Sequence, residues 1–142
     1  MNTETYLGKI QRYEYMISDK LDEINRLKDM CMNMSVTSDK PNVKSSPNQD
    51  KLADAIAKIV DLEKEIDKLV DGMIAQRNRI INQIDALGNT KEYRVLTMRY
   101  VKGLKMSQIA FEMDLTVDST KRIKRDALKI FESIYGNEYK HL

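Results

Sequence analysis

From Tyr6 to Met34 one stripe recurs at alternating steps of four and three: Tyr6, Ile10, Tyr13, Ile17, Lys20, Ile24, Leu27, Cys31 and Met34, with Lys20 the single polar member. A stripe of that period, kept for about four heptads, predicts a helix packed lengthwise on another helix. Leu7, Met16, Leu21 and Met30 flank it and widen the apolar face beyond a two-helix seam. Residues 35–49 then carry both prolines, Pro41 and Pro47, in a polar stretch that predicts a linker. The linker ends in a helix-start signal, with Ser46 as N-cap, Pro47 at the first helical position and Gln49 three residues after the cap. A second stripe follows at Ala55, Ile59, Leu62, Ile66, Leu69, Met73, Gln76 and Ile80 and slips to Ile84 and Leu87, which predicts a second long helix containing a stutter. Gly72 is its interior weak point, costing about 1 kcal/mol against alanine. Gly88 reads as a stop, and Asn89 with Glu92 as the capping box of a new start.

Beyond Asn89 the periods shorten. Helices are expected near 90–102, 106–113 and 117–135, separated by 103–105 and by Asp114, Leu115 and Thr116, with Thr116 as cap and Gly136 as terminator. Leu96, Tyr100, Leu104, Ile109, Ala110, Met113, Leu115, Thr120, Ile123, Ala127 and Phe131 form the expected small core. The predicted fold is all-α: two long coiled-coil-type helices in an antiparallel hairpin over 1–88, then a compact module over 89–142. The stripe positions Ile10, Ile17, Ile24, Ile59, Ile66, Met73 and Ile80 are the candidate oligomerisation residues.

Composition narrows the function. Aromatics are 6% of the chain, with no Trp, five Gly and two Pro, which suits long helices and leaves little room for an all-β fold. Cys31 and His141 are each the only residue of their kind, so a disulfide framework, a Cys/His zinc site and a histidine-based triad are not expected. No glycine-rich phosphate loop is present, and no catalytic residue, metal or cofactor is expected. Without an apolar run of about 20 residues or a signal-like start, a cytoplasmic protein with no membrane partner is expected. The net charge of +2 divides into −2 over residues 1–90 and +4 over 91–142, placing a basic module at one end.

Two short helices joined by a tight turn, the second one basic, are the ingredients of a helix–turn–helix. At 100° per residue, Thr120, Ile123 and Ala127 share one face of that second helix, and Asp118, Lys121, Arg122, Arg125 and Lys129 share the opposite one, with Ser119 on the flank. These six polar residues are the candidate DNA contacts: those near the helix start for base edges, those further along for phosphates.

The segment from Leu96 to Phe131 resembles region 4 of bacterial sigma factors. It carries Leu96 with Arg99-Tyr100, then Gly103-Leu104, the pair Ile109-Ala110, and a basic helix reaching Ala127-Leu128 and Phe131. The whole chain is similar to the RinA/ArpU-like regulators of prophages and mobile elements in low-GC Gram-positive bacteria. Two positions depart from the pattern: Asp114 stands where such turns often have Gly, and Thr120 where a larger aliphatic is usual. The resemblance implies a sequence-specific regulator that binds double-stranded DNA and activates late genes in a bacterial host, assembled as a homo-oligomer through its long helices. Two other readings stay open, a small terminase-like packaging subunit and an interaction protein that grips RNA polymerase.

Overall fold

A computed structural model describes residues 1–37 and 47–142 of the chain. The fold is all-α, with no strand among the described residues. Helix α1 spans Thr3–Leu7, α2 Lys9–Thr37, α3 Pro47–Asp85, α4 Lys91–Leu96, α5 Met106–Met113 and α6 Val117–Tyr139. A π-helical turn, Thr97–Val101, continues α4. The expected linker is shorter than 35–49, because α2 runs to Thr37 and α3 begins at Pro47. Its residues 38–46, and with them the expected cap Ser46, lie outside the described residues. No helix among the described residues is long and apolar enough to cross a membrane.

The chain divides into two compact units, one of residues 14–72 and one of residues 1–13 together with 73–142. In the first, α2 and α3 form an antiparallel hairpin: Lys20 pairs with Glu65 at 2.8 Å, while the later residues Leu27 and Met30 share a groove with the earlier Ala55 and Lys58. Ile24, Ala55 and Leu62 are buried in its seam. Lys20, the polar interruption of the stripe, is half-buried and sends its ammonium to Glu65, whose carboxyl is held below its ordinary pKa chiefly by that hydrogen bond and charge. An apolar stem with a charged tip can occupy a seam in this way.

The second unit is larger than the expected 89–142 module, and the expected division after residue 88 is not where the structure divides. Its main core joins Tyr6, Leu7 and Ile10 from the chain's start, Ile80 and Ile84 from the end of α3, and Leu96, Tyr100, Ala127, Phe131 and Tyr139. A smaller cluster holds Val95, Met98 and Ile109, with Leu104, Met106, Met113 and Ile123 packed against it. A module of about 54 residues buries little of its own surface, and here both ends of the hairpin helices supply what it lacks. As a consequence, Ile10 and Ile80 are fully buried within one chain, as is Ile24 nearly so in the hairpin, and these three are not available as contacts between chains. Ile17, Ile59, Ile66 and Met73 are half-buried.

Three local expectations change for identifiable reasons. Thr90, not Asn89, caps α4, its hydroxyl accepting the Tyr93 N–H at 3.1 Å, after Gly88 has turned the chain at φ 79°. Gly8 separates α1 from α2, so the first helix is two pieces. Gly136 does not end α6, which runs on to Tyr139. The ring of Tyr139 is fully buried, stacks on Tyr6 with centroids 4.3 Å apart, and its hydroxyl bonds to Thr3 at 2.8 Å. An aromatic pair of that kind contributes about 0.5–1.5 kcal/mol beyond burial, and with burial of the ring it outweighs the cost of about 1 kcal/mol for glycine inside a helix.

Candidate nucleic-acid interface

Helix α5 begins with the side chain of Gln108 accepting the Lys105 N–H at 2.9 Å. It ends at Asp114, which takes the left-handed conformation at φ 59° and ψ 43°. The Leu115 N–H then bonds back to the Ala110 carbonyl at 2.9 Å, closing the helix end. Asp114 thus takes a conformation that glycine most often supplies, aspartate being among the few non-glycine residues that visit this region. Thr116 starts α6, its hydroxyl oxygen accepting the Ser119 N–H at 3.1 Å and its O–H donating to Ser119 Oγ at 2.9 Å.

The inner face of α6 is pinned to both cores, with Thr120, Ala127 and Phe131 fully buried and Ile123 half-buried. Thr120 satisfies its buried hydroxyl by donating to the Thr116 carbonyl at 2.8 Å, so the second departure from the sigma pattern leaves no orphan polar group. With that face fixed, Asp118, Lys121, Arg122, Arg125 and Lys129 are all exposed. The structure therefore brings five of the six candidate residues onto one open face, and Ser119 lies half-buried beside them, engaged by the cap. None of the four cations is paired with a carboxylate among the described residues.

An open groove of about 570 Å³ runs along this helix, lined by Glu4, Met106, Asp118, Lys121, Arg122, Lys124, Arg125 and Leu128. Four of these, Glu4, Met106, Lys124 and Leu128, are not among the expected DNA contacts, and Glu4 and Lys124 are the charged ones. Lys124 falls toward the core on the helical wheel, and Glu4 is 120 positions away, so no local signal joins them. In the structure the Lys124 ammonium meets the Glu4 carboxylate at 3.0 Å. Tyr100 is shifted well above its ordinary pKa, first by burial and then by the charge of Glu4.

Upstream, the π-helical turn positions the loop into α5. The Leu104 N–H reaches back to the Met98 carbonyl at 2.9 Å, and Gly103 turns at φ 70°. The Arg99 carbonyl freed by this widening accepts Gln11 Nε2 at 2.7 Å, while the Arg99 guanidinium donates to the Leu104 carbonyl at 3.0 Å. The loop is held from both sides. Phe111, on α5, projects into solvent at 87% exposure. Among the described residues no cluster of three or more His, Cys, Asp or Glu could hold a metal ion.

A short helix, a three-residue turn with one left-handed residue and a longer helix with a cationic free face together make a helix–turn–helix module. The chain belongs to the family described as "Protein of unknown function (DUF1492)", which matches residues 33–132. The match takes in α3, α4, α5 and most of α6, and leaves out α1. No curated protein and no solved structure matches the chain.

Proposed function

We propose that this protein is a sequence-specific, double-stranded-DNA-binding transcriptional regulator that places α6 in the major groove. The observation that carries the reading is the unpaired cationic face of α6, made rigid by the Asp114 turn and by burial of the opposite face. A solvated charge stripe needs none of this fixing; a surface that reads base edges does, because base contacts depend on placement of a few side chains. Arg122, one turn into the helix, is the candidate for a bidentate guanine contact, and Lys129, near the far end, for a phosphate. The resemblance to RinA/ArpU-like regulators supports an activator of late genes of a prophage or mobile element, working in the bacterial cytoplasm without cofactor or catalysis. Self-association belongs to the same proposal, now through apolar positions that the hairpin leaves exposed, such as Ile56 and Val60, rather than through Ile10, Ile24 and Ile80.

The test is binding of the full chain to duplex DNA from its own promoter region, followed by fluorescence anisotropy across a salt series. Affinity is expected to fall with salt at about −0.9 per neutralised phosphate on the log–log plot. Arg122→Ala is expected to cost about 1–3 kcal/mol on the cognate site and to relax its preference, whereas Lys129→Ala weakens all sequences alike. A triple Lys121, Arg122, Arg125 alanine variant that stays folded and binds as tightly as wild type would sink the assignment. The exposed Phe111 favours a second reading, in which α5 docks on RNA polymerase. Co-purification with polymerase that is lost in Phe111→Ala, with no DNA affinity in the wild type, would select it.

A further inference from the structure

Beside the unpaired face of α6 lies one further cation of the same helix that is occupied from within the chain. Lys124 lines the same groove as Lys121, Arg122 and Arg125, yet its ammonium is paired at 3.0 Å with Glu4, a residue of α1. The Lys124 side chain is 20% exposed and that of Glu4 56%, so the carboxylate is the more exposed member of the pair. Glu4 is not a floppy surface acid. Its backbone lies in α1, whose Tyr6 and Leu7 are buried in the main core. The core contacts of α1 thus hold one negative charge against α6.

We propose that Glu4 is an electrostatic brake on DNA binding, withholding Lys124 from the phosphate backbone so that the module binds with one cation fewer than its sequence provides. The inference rests on the DNA-binding reading above and adds a residue outside the helix–turn–helix to it. A lysine contacts phosphate as a point charge and carries no base information, so its neutralisation lowers sequence-independent affinity and shortens the time spent on unrelated DNA. Base-reading side chains are left untouched.

The test compares full-length wild type, Glu4→Gln, the double variant Glu4→Gln with Lys124→Gln, and Lys121→Gln as a reference, all on one unrelated duplex across a fourfold range of salt. Gln keeps the size of the Glu4 side chain while removing its charge, and circular dichroism with a thermal melt checks that each protein is folded. Glu4→Gln is expected to steepen the log–log slope by about 0.9, so that its affinity falls about 3.5-fold further than wild type over that range. The double variant, in which a neutral pair replaces a neutral pair, is expected to match wild type, and Lys121→Gln to be shallower by about 0.9. An unchanged slope in Glu4→Gln overturns the proposal, and so does a double variant as shallow as Lys121→Gln, since Lys124 would then already be contacting phosphate. The second comparison stands even if Glu4→Gln alone fails to fold. If wild type shows no salt-dependent binding to any duplex, the DNA-binding reading itself falls, and the brake with it; if wild type binds and only the Glu4 arms fail, the reading survives without the brake.

Discussion

Asp114 concentrates the residue-scale argument, because the whole helix–turn–helix bends on one left-handed residue at φ 59°. The left-handed region costs an L-residue roughly 1–2 kcal/mol, least for Asp and Asn and most for a β-branched side chain. Asp114→Gly is therefore expected to keep or raise the urea midpoint, and Asp114→Val to lose about 1–2 kcal/mol. Equal stability of the valine variant would mean that the turn does not need this conformation. This turn was legible beforehand, since the spacing of the two flanking helices required one and aspartate tolerates it. Thr120 was legible only in part: its place on the inner face follows from the wheel, but the bond that satisfies its hydroxyl depends on the carbonyl of Thr116 one turn earlier.

At the scale of elements, the chain's first helices belong to the module that its last helices build. Tyr6, Leu7 and Ile10 cover Phe131 and Tyr139, and the end of α3 covers the same core with Ile80 and Ile84. The expectation that residues 89–142 hold a core of their own changes accordingly. That fragment would expose Leu96, Tyr100, Phe131 and Tyr139 together, and burial of a side chain of this size is worth about 1.5–3 kcal/mol. An isolated 89–142 fragment is expected to show no cooperative thermal transition by circular dichroism. A transition as sharp as that of the full chain would show that the covering helices are dispensable. A polar layer accompanies the apolar one, with the Tyr6 hydroxyl donating to Gln83 and the Gln83 amide donating to Glu138, each at 2.6 Å.

Across the whole molecule, three tyrosines link the fold to pH. Tyr6, Tyr100 and Tyr139 all have hydroxyls raised above their ordinary pKa, in each case first by burial. The folded state therefore favours the neutral phenol. Its contribution is full below the ordinary tyrosine value of about 10 and is lost as pH rises through the raised folded values. The melting temperature is expected to be level through neutral pH and to fall above about pH 10, with a smaller fall in Tyr100→Phe. A profile that stays level well above that pH, or an identical fall in the phenylalanine variant, would contradict the burial argument. The hairpin of residues 14–72 contains none of these three residues, so the alkaline loss belongs to the other unit.

Periodicity and capping in the sequence alone determined the all-α class, the two long amphipathic helices, the placement of α5 and α6, and the outward cations Lys121, Arg122, Arg125 and Lys129. These are local properties, written within one or two helical turns of each residue, which is why a helical wheel recovers them. Only the tertiary structure decided that residues 1–13 join the C-terminal module, that α6 passes through Gly136 to seat Tyr139, and that Glu4 reaches Lys124. Each of these rests on a pairing across more than 100 residues of chain, where the energy comes from burial and charge between segments whose own patterns are silent about one another. Both kinds of information meet on α6, whose outer face is set by its own sequence and whose effective charge is set by a helix at the other end of the chain.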